Sequence, residues 1–238
     1  MSSTARTLEL LSLFSVARPE IGLSELCRLA RRDKATTYRH LQSLEDAGFV
    51  EQSPVTRQYR LGPALLSLAQ TREQTVPRKS GALAQLKHLA EATGETSHVS
   101  VLSGTTLYAL ASYESSRHST RAVIDIQTFP LHATASGLCA LAYGSSDLFD
   151  VAARNLKGFT ARTVTTTNEL LAVVEEVRAA GVGRSNGTFE DEIHSLACPV
   201  FDQTGDLAGC ISVASVATRY SAELERAILE NLKQASRD

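Results

Sequence analysis

Residues 22–62, GLSELCRLARRDKATTYRHLQSLEDAGFVEQSPVTRQYRLG, change from helical to strand periodicity inside one short span, and few folds accommodate that. In the first part Ser24 is placed to cap a short helix whose inward stripe is Leu26, Leu29 and Ala30. After Asp33, a second cap, the spacing predicts a helix over 34–46 with Thr37, Leu41 and Leu44 at i, i+4 and i+7. Gly48 stops it. FVEQ and RQYRL then read as two short strands around the turn SPVT, with Tyr59 and Leu61 alternating inward. A further helix over 5–17 precedes the span, with Leu8, Leu11 and Phe14 on one face and Pro19 and Gly22 ending it. Three helices followed by a small hairpin are expected to form a winged helix-turn-helix.

The outward faces of the 34–46 helix carry Lys34, Thr36, Tyr38 and Arg39. In a helix-turn-helix the second helix lies in the major groove, where Arg and Lys bind guanine or neutralise phosphate and hydroxyls reach either edge or backbone. Those four residues are the candidate double-stranded-DNA contacts, with Arg57 of the hairpin as the wing contact; Arg6 or Arg28 would steady the docking. His40 lies nearer the buried side and is left out. Charge supports the assignment: residues 1–79 hold 12 Lys+Arg against 8 Asp+Glu, residues 80–238 hold 12 against 18, and only the first third is basic.

The remaining sequence argues against other classes. No run of about 18 apolar residues marks a membrane span. MSSTARTLELLSLFS lacks the parts of a signal peptide, so a cytoplasmic protein is expected. Cys27, Cys139, Cys198 and Cys210 have neither CxxC nor metal-like spacing and read as reduced, buried thiols. No GxxxxGK[ST], GxGxxG or HExxH occurs, and neighbouring His194 and Ser195 would point apart on a strand. No enzyme, cofactor or metal is therefore expected.

Beyond residue 62 a connecting helix is expected over 63–74, with Pro77 as a break. A helix over 79–93 follows, through Leu83, Leu86 and Leu89 to Gly94. Strands are expected at 97–102, 106–113 and 121–126, and PLHATASGLCALAY reads as a loop entering a helix. A helix over 168–180 is capped by Asn168, buries Leu170, Leu171, Val173, Val174 and Val177, and ends at Gly181. Strands 194–201 and 207–216 flank DQTG, and a last helix starts near 221. The mixed order predicts an α+β protein whose second domain surrounds one mostly antiparallel sheet.

GLSELCRLARRDKATTYRHLQSLEDAGFVEQSPVTRQYRLG resembles the reading domain of the IclR family of bacterial transcriptional regulators. PLHATASGLCALAY and LACPVFDQTGDLAGCISVASV resemble that family's effector domain, in the same order. The resemblance implies a winged helix-turn-helix over 1–62, a linker helix over 63–78 and a GAF-like α/β effector-binding domain over 79–238. It also implies a repressor or activator working as a homodimer or dimer of dimers on a pseudo-palindromic operator.

By position it places Ala135, Ser136, Ser185, Ile193, Ser195, Ser212 and Ala214 around a small-molecule effector. A helix start near Ser136 offers free amides to a carboxylate, so the expected effector is a small organic or aromatic acid from a catabolic pathway. His98 and Tyr108 are further pocket candidates, Arg121 a cation within reach, and His132 a shaper of the loop. The chain departs from the family at Arg31, where a glycine is usual, at Leu138, where a lysine is, at Ser185 and Asn186, and over 192–195. The departures imply an effector unlike that of the family's small-oxoacid binders.

Overall fold

Asp33 starts the helix that organises the first unit: its side chain accepts the Thr36 amide at 2.8 Å, and the helix runs Lys34–Asp46 with Thr37, Leu41 and Leu44 buried. In this computed structural model, which describes residues 2–236, two compact units divide between Pro77 and Arg78. The first contains α1 (Ser3–Glu9), α2 (Leu23–Ala30), α3 (Lys34–Asp46) and α4 (Ala64–Thr75), with strands β1 (Glu20–Ile21), β2 (Val50–Gln52) and β3 (Tyr59–Leu61). Leu10, Phe14, Ile21, Leu26, Leu41, Leu44, Val50 and Tyr59 form its core.

Several expectations change in detail. The 5–17 helix is shorter: after α1 the chain tightens to a 3-10 turn over Leu10–Leu13 and is extended at Phe14. Tightening rotates the buried face, so Leu10 and Phe14 point inward while Leu8 is 53% exposed. Gly22 rather than Ser24 is the α2 N-cap. β1 adds a third strand to the hairpin, in the order β1-β3-β2. Leu61, the last residue of β3, is exposed, and only Tyr59 reaches the core.

The second unit is a five-stranded antiparallel sheet between helices. It contains α5 (Arg78–Thr93), β4 (Thr96–Ser103), β5 (Thr106–Tyr113), α6 (Ala135–Tyr143), α7 (Ser146–Ala153) and α8 (Thr167–Ala180). Strands β6 (Gly183–Asn186), β7 (Ile193–Phe201) and β8 (Leu207–Val216) and helix α9 (Ala222–Ala235) complete it. Strand order is β5-β4-β8-β7-β6. Alternation divides the side chains: Ile211 and Val213 of β8 join Leu86, Leu89, Ile228 and Leu232 of α5 and α9, whereas Cys210 packs towards α6.

Leu83 on α5 and Leu171 on α8 are exposed, contrary to expectation. Thr166 replaces Asn168 as the α8 cap, because Thr166 and Glu169 close a capping box. Residues 121–126 are no strand. Ala122 is buried and Ile124 half-buried, but the backbone approaches β5 only near 127–129, where Ala109 N–H donates to Gln127 and Phe129 N–H to Leu107. The alternation there records burial, not pairing.

Candidate functional site

In the first unit, α2 turns into α3 through Arg31, which sits in the left-handed region at φ 52°. A non-glycine residue there costs on the order of 1 kcal/mol, so this chain holds at Arg31 a backbone conformation that glycine adopts freely. Lys34, Tyr38 and Arg39 are exposed along α3 and Thr36 is half-buried. The Tyr38 hydroxyl accepts a bond from Gln42 Nε2 at 3.2 Å. Arg39, Thr36 and Ser43 share a polar cleft with Ser3, Arg6 and His40, and His40 is tied to Thr7 Oγ1 through Nδ1 at 2.6 Å. Burial, then Arg32, Arg39 and Arg6, lower the His40 pKa and favour its neutral form.

Arg32 is engaged by Glu9, and Arg60 by Glu51 at 2.6 Å and Glu20 at 3.7 Å. Arg57 is exposed at φ 58° in the β2–β3 turn, where its carbonyl accepts from Gln52 Nε2. The structure thus leaves Lys34, Arg39 and Arg57 exposed, while Arg32 and Arg60 hold the scaffold.

In the second unit the head of α6 is fixed from several sides. Thr134 Oγ1 accepts the Gly137 amide at 3.0 Å and donates to the Pro130 carbonyl at 2.9 Å. Thr188 Oγ1 donates to the Ala133 carbonyl at 2.7 Å, and the Ser185 hydroxyl, 3.2 Å from the same carbonyl, is bonded to Thr188 Oγ1 at 2.6 Å. β6 approaches so closely that a Cβ on Gly183 would lie 2.3 Å from the Ala135 carbonyl oxygen. Leu138 N–H is taken by the Thr134 carbonyl. The amides of Ala135 and Ser136, first in the helix, have no acceptor among the described residues.

Those amides border a cavity of about 50 Å³. Its walls are Thr134, Ala135 and Ser136 of the α6 head, His98 of β4, Ser185 of β6 and Ser195 of β7. Phe189 and Glu190 of the β6–β7 turn and Val123, Ile124, Asp125, Ile126 and Phe129 of the loop after β5 complete it. Of the residues inferred by position, Ala135, Ser136, Ser185 and Ser195 line the cavity. Ser212 lies behind it, bonded to Ser136 Oγ at 2.6 Å and fully buried. Ala214, in register with Ser195, is buried, and neither Ala214 nor Ile193 reaches the wall.

His98 is 4% exposed, stacks on Phe129 at 5.1 Å, and its Nδ1 has no hydrogen-bond partner among the described residues. Burial pulls its pKa down to about 4, so the ring is neutral at pH 7. Glu190 is shifted upward, by burial and then by Asp125. Asp125 and Glu190 are both exposed. Composition around the cavity had no charged candidate but Arg121, and Arg121 is paired with Glu114 instead. Asp125 and Glu190 escaped sequence reasoning because Asp125 fell in a segment read as a strand and Glu190 lies in an irregular turn. Tyr108 is exposed beside Thr128, off the cavity, and His132 bonds the Lys157 carbonyl at 2.9 Å.

The segment around Ser185, GRSNG, has the Gly-x-Ser-x-Gly form of a nucleophile elbow. Ser185 lies inside an edge strand, and its hydroxyl meets Thr188 and Ala133 rather than a histidine. Burial pushes the Cys198 thiol up to about 12, and a hydrogen bond with Cys139 together with burial holds Cys210 well above its usual range. Neither the serine nor these thiols is an activated nucleophile. No group of three or more His, Cys, Asp or Glu among the described residues could hold a metal ion, and no helix among them is long and apolar enough to cross a membrane.

Residues 74–238 match the family described as bacterial transcriptional regulator IclR C-terminal, and residues 3–54 match the IclR helix-turn-helix domain. The HTH-type transcriptional regulator KdgR of Escherichia coli K12 is 30% identical over 221 residues, 92% of this chain and 84% of KdgR. A crystal structure of an IclR transcriptional regulator from Silicibacter sp. TM1040 superposes with a TM-score of 0.92 at 40% identity, covering 99% of this chain and 93% of that one. An IclR homologue from Microbacterium hydrocarbonoxydans, crystallised with 4-hydroxybenzoate, shares the fold at 22% identity and a TM-score of 0.78, with 99% and 96% covered.

Proposed function

Because the chain belongs to the IclR family of bacterial transcriptional regulators, we propose that it senses a small organic or aromatic acid and thereby controls a catabolic operon. Its helix-turn-helix makes it a DNA-binding regulator. In the proposed division of labour, Lys34, Thr36, Tyr38 and Arg39 read the major groove and Arg57 contacts the flanking backbone. Arg6 borders the same cleft as Thr36 and Arg39, which supports a phosphate contact there. As a homodimer or dimer of dimers, the protein would meet a pseudo-palindromic operator in the cytoplasm.

The open pair of amides at the α6 head carries the effector reading. Two backbone donors and the positive end of a helix dipole, facing an enclosed space, suit a carboxylate. Ser136, Ser185 and Ser195 contribute hydroxyls at the wall, with Ser212 positioning Ser136. Ala214 and Ile193 are assigned the packing beneath. Size decides between acids: the cavity is about 50 Å³, below the roughly 150 Å³ that admits a benzene ring. A short acid fits as the cavity stands, whereas an aromatic acid requires the loop 114–128 to yield.

Ligand and DNA communicate by population shift, the ligand binding one arrangement of the readers more tightly than another. The stretch 63–78, containing α4, is the connection through which that choice passes.

A thermal-shift panel of acetate, pyruvate, benzoate, 4-hydroxybenzoate and their neutral amides tests the reading, followed by fluorescence anisotropy on operator DNA with any hit. An acid at about 100 times its dissociation constant should stabilise the protein by about 2.7 kcal/mol. Stabilisation by the amides but by none of the acids would remove the carboxylate reading and leave the DNA-binding regulator in place.

A further inference from the structure

The lining of the effector cavity has two parts of opposite character, one buried and one exposed. The buried part holds Ala135 and Ser136, whose amides offer donors and partial positive charge. The exposed part holds Asp125, from the loop after β5, and Glu190, from the β6–β7 turn. They come from separate segments, and neither forms an ion pair among the described residues. No lysine or arginine lines the cavity.

A simple carboxylate is matched by the amides and opposed by two carboxylates that have no counter-charge in the lining. An amine alone is matched by the carboxylates and leaves the amides unfilled. Resting on the acid-binding reading of this cavity, we propose that the effector is a small amino acid, its carboxylate on the Ala135 and Ser136 amides and its ammonium group between Asp125 and Glu190.

Two further observations point to the same occupant. His98 is buried in the wall, and its Nδ1 lacks a partner. A buried polar atom without a bond is costly, and a ligand that supplies the bond removes that cost. His98 is in register with Ser212, whose hydroxyl is bonded to Ser136. The imidazole therefore stands near the amides, and in the tautomer with its proton on Nδ1 it donates to the second carboxylate oxygen. Burial, and then the charge of Asp125, raise the Glu190 pKa, and an ammonium group would relieve the second of these. Volume sets the skeleton: about 50 Å³ suits a chain of a few carbons.

Matched series on the full-length protein give the test. Glycine, L-alanine, β-alanine and 4-aminobutyrate are titrated by calorimetry beside acetate, propionate and butyrate, and beside methylamine, ethylamine and propylamine. At least one amino acid should bind roughly tenfold or more tightly than its matched acid and amine, since both ends are then paired. The Asp125→Asn/Glu190→Gln double variant should lose that preference, binding the acid as well as the amino acid, with its unliganded melting retained as the check on folding.

Acids binding as tightly as matched amino acids would overturn the amino-acid assignment and leave the acid-binding reading standing. Binding by the amines alone would overturn both. If no amino acid in the series binds, the assignment is likewise overturned, while the acid reading stands or falls separately on the carboxylate panel.

Discussion

Arg219 and Glu95 show what single residues contribute to the second unit. Glu95 is 1% exposed and receives two bonds from the Arg219 guanidinium, at 2.9 and 2.8 Å. The same guanidinium donates to the Thr120 carbonyl at 2.8 Å, tying down the loop that walls the cavity. Removing one member of a buried pair strands the other, and the usual cost is about 3–5 kcal/mol. Arg219→Met should fall near the lower end, since the arginine keeps some solvent contact, and adding Glu95→Gln should recover part of the loss. Urea unfolding checks both, and a loss under about 1 kcal/mol in the single variant would show the pair to be incidental.

His98 gives a pH dependence with a definite sign. Its folded pKa, about 4, lies below the ordinary 6.5, so the unfolded chain binds more protons across that window. Its contribution to stability is complete above pH 6.5 and is lost progressively as pH falls towards 4. Between pH 6.5 and 5 the loss should approach about 2 kcal/mol. His40 and His194 are shifted in the same direction, so the measurement that isolates His98 is the difference between wild type and His98→Gln. Parallel stability profiles for the two proteins would contradict the assignment.

At the scale of elements, the cavity depends on how closely β6 meets α6. Gly183 is not at positive φ, so alanine there is opposed by the Ala135 carbonyl rather than by backbone strain. Such overpacking typically costs about 1–3 kcal/mol. Gly183→Ala should destabilise the second unit and blunt any effector-induced thermal shift, because it displaces the amides at the cavity wall. Unchanged melting with an unchanged effector response would refute that dependence.

The same region shows where sequence was informative. α3 was legible because three buried positions at helical spacing follow a capping aspartate, and β7 and β8 because a long alternating pair encloses DQTG. β6 was not anticipated: Gly183, Arg184, Ser185 and Asn186 contain no β-branched or aromatic residue, and tertiary packing makes them a strand. The loop at 121–126 misled in the opposite direction, its alternation arising from burial on one side. The cavity was half legible: Ala135, Ser136, Ser185 and Ser195 came by position, while Asp125 and Glu190 became visible only when loop and turn were brought together.

For the molecule as a whole, charge divides along the chain, a basic first third followed by an acidic remainder. Phosphate neutralisation makes DNA affinity salt-dependent, and each lost contact lowers the slope of log affinity against log salt by about one. Arg39→Ala should weaken DNA binding by roughly 1–3 kcal/mol if it removes a base contact. Effector affinity for DNA-free protein should stay unchanged, since Arg39 and the cavity belong to different units. Coupling then obeys a stricter condition. If effector changes operator affinity by some factor, operator must change effector affinity by the same factor, because both report one coupling free energy. Anisotropy with and without effector, and calorimetry with and without operator, measure the two factors independently. Agreement identifies the titrated cavity as the site whose occupancy is coupled to DNA binding. An effector that alters DNA binding while its own affinity ignores DNA would mean that it acts at some site other than the cavity titrated, however well that cavity binds it.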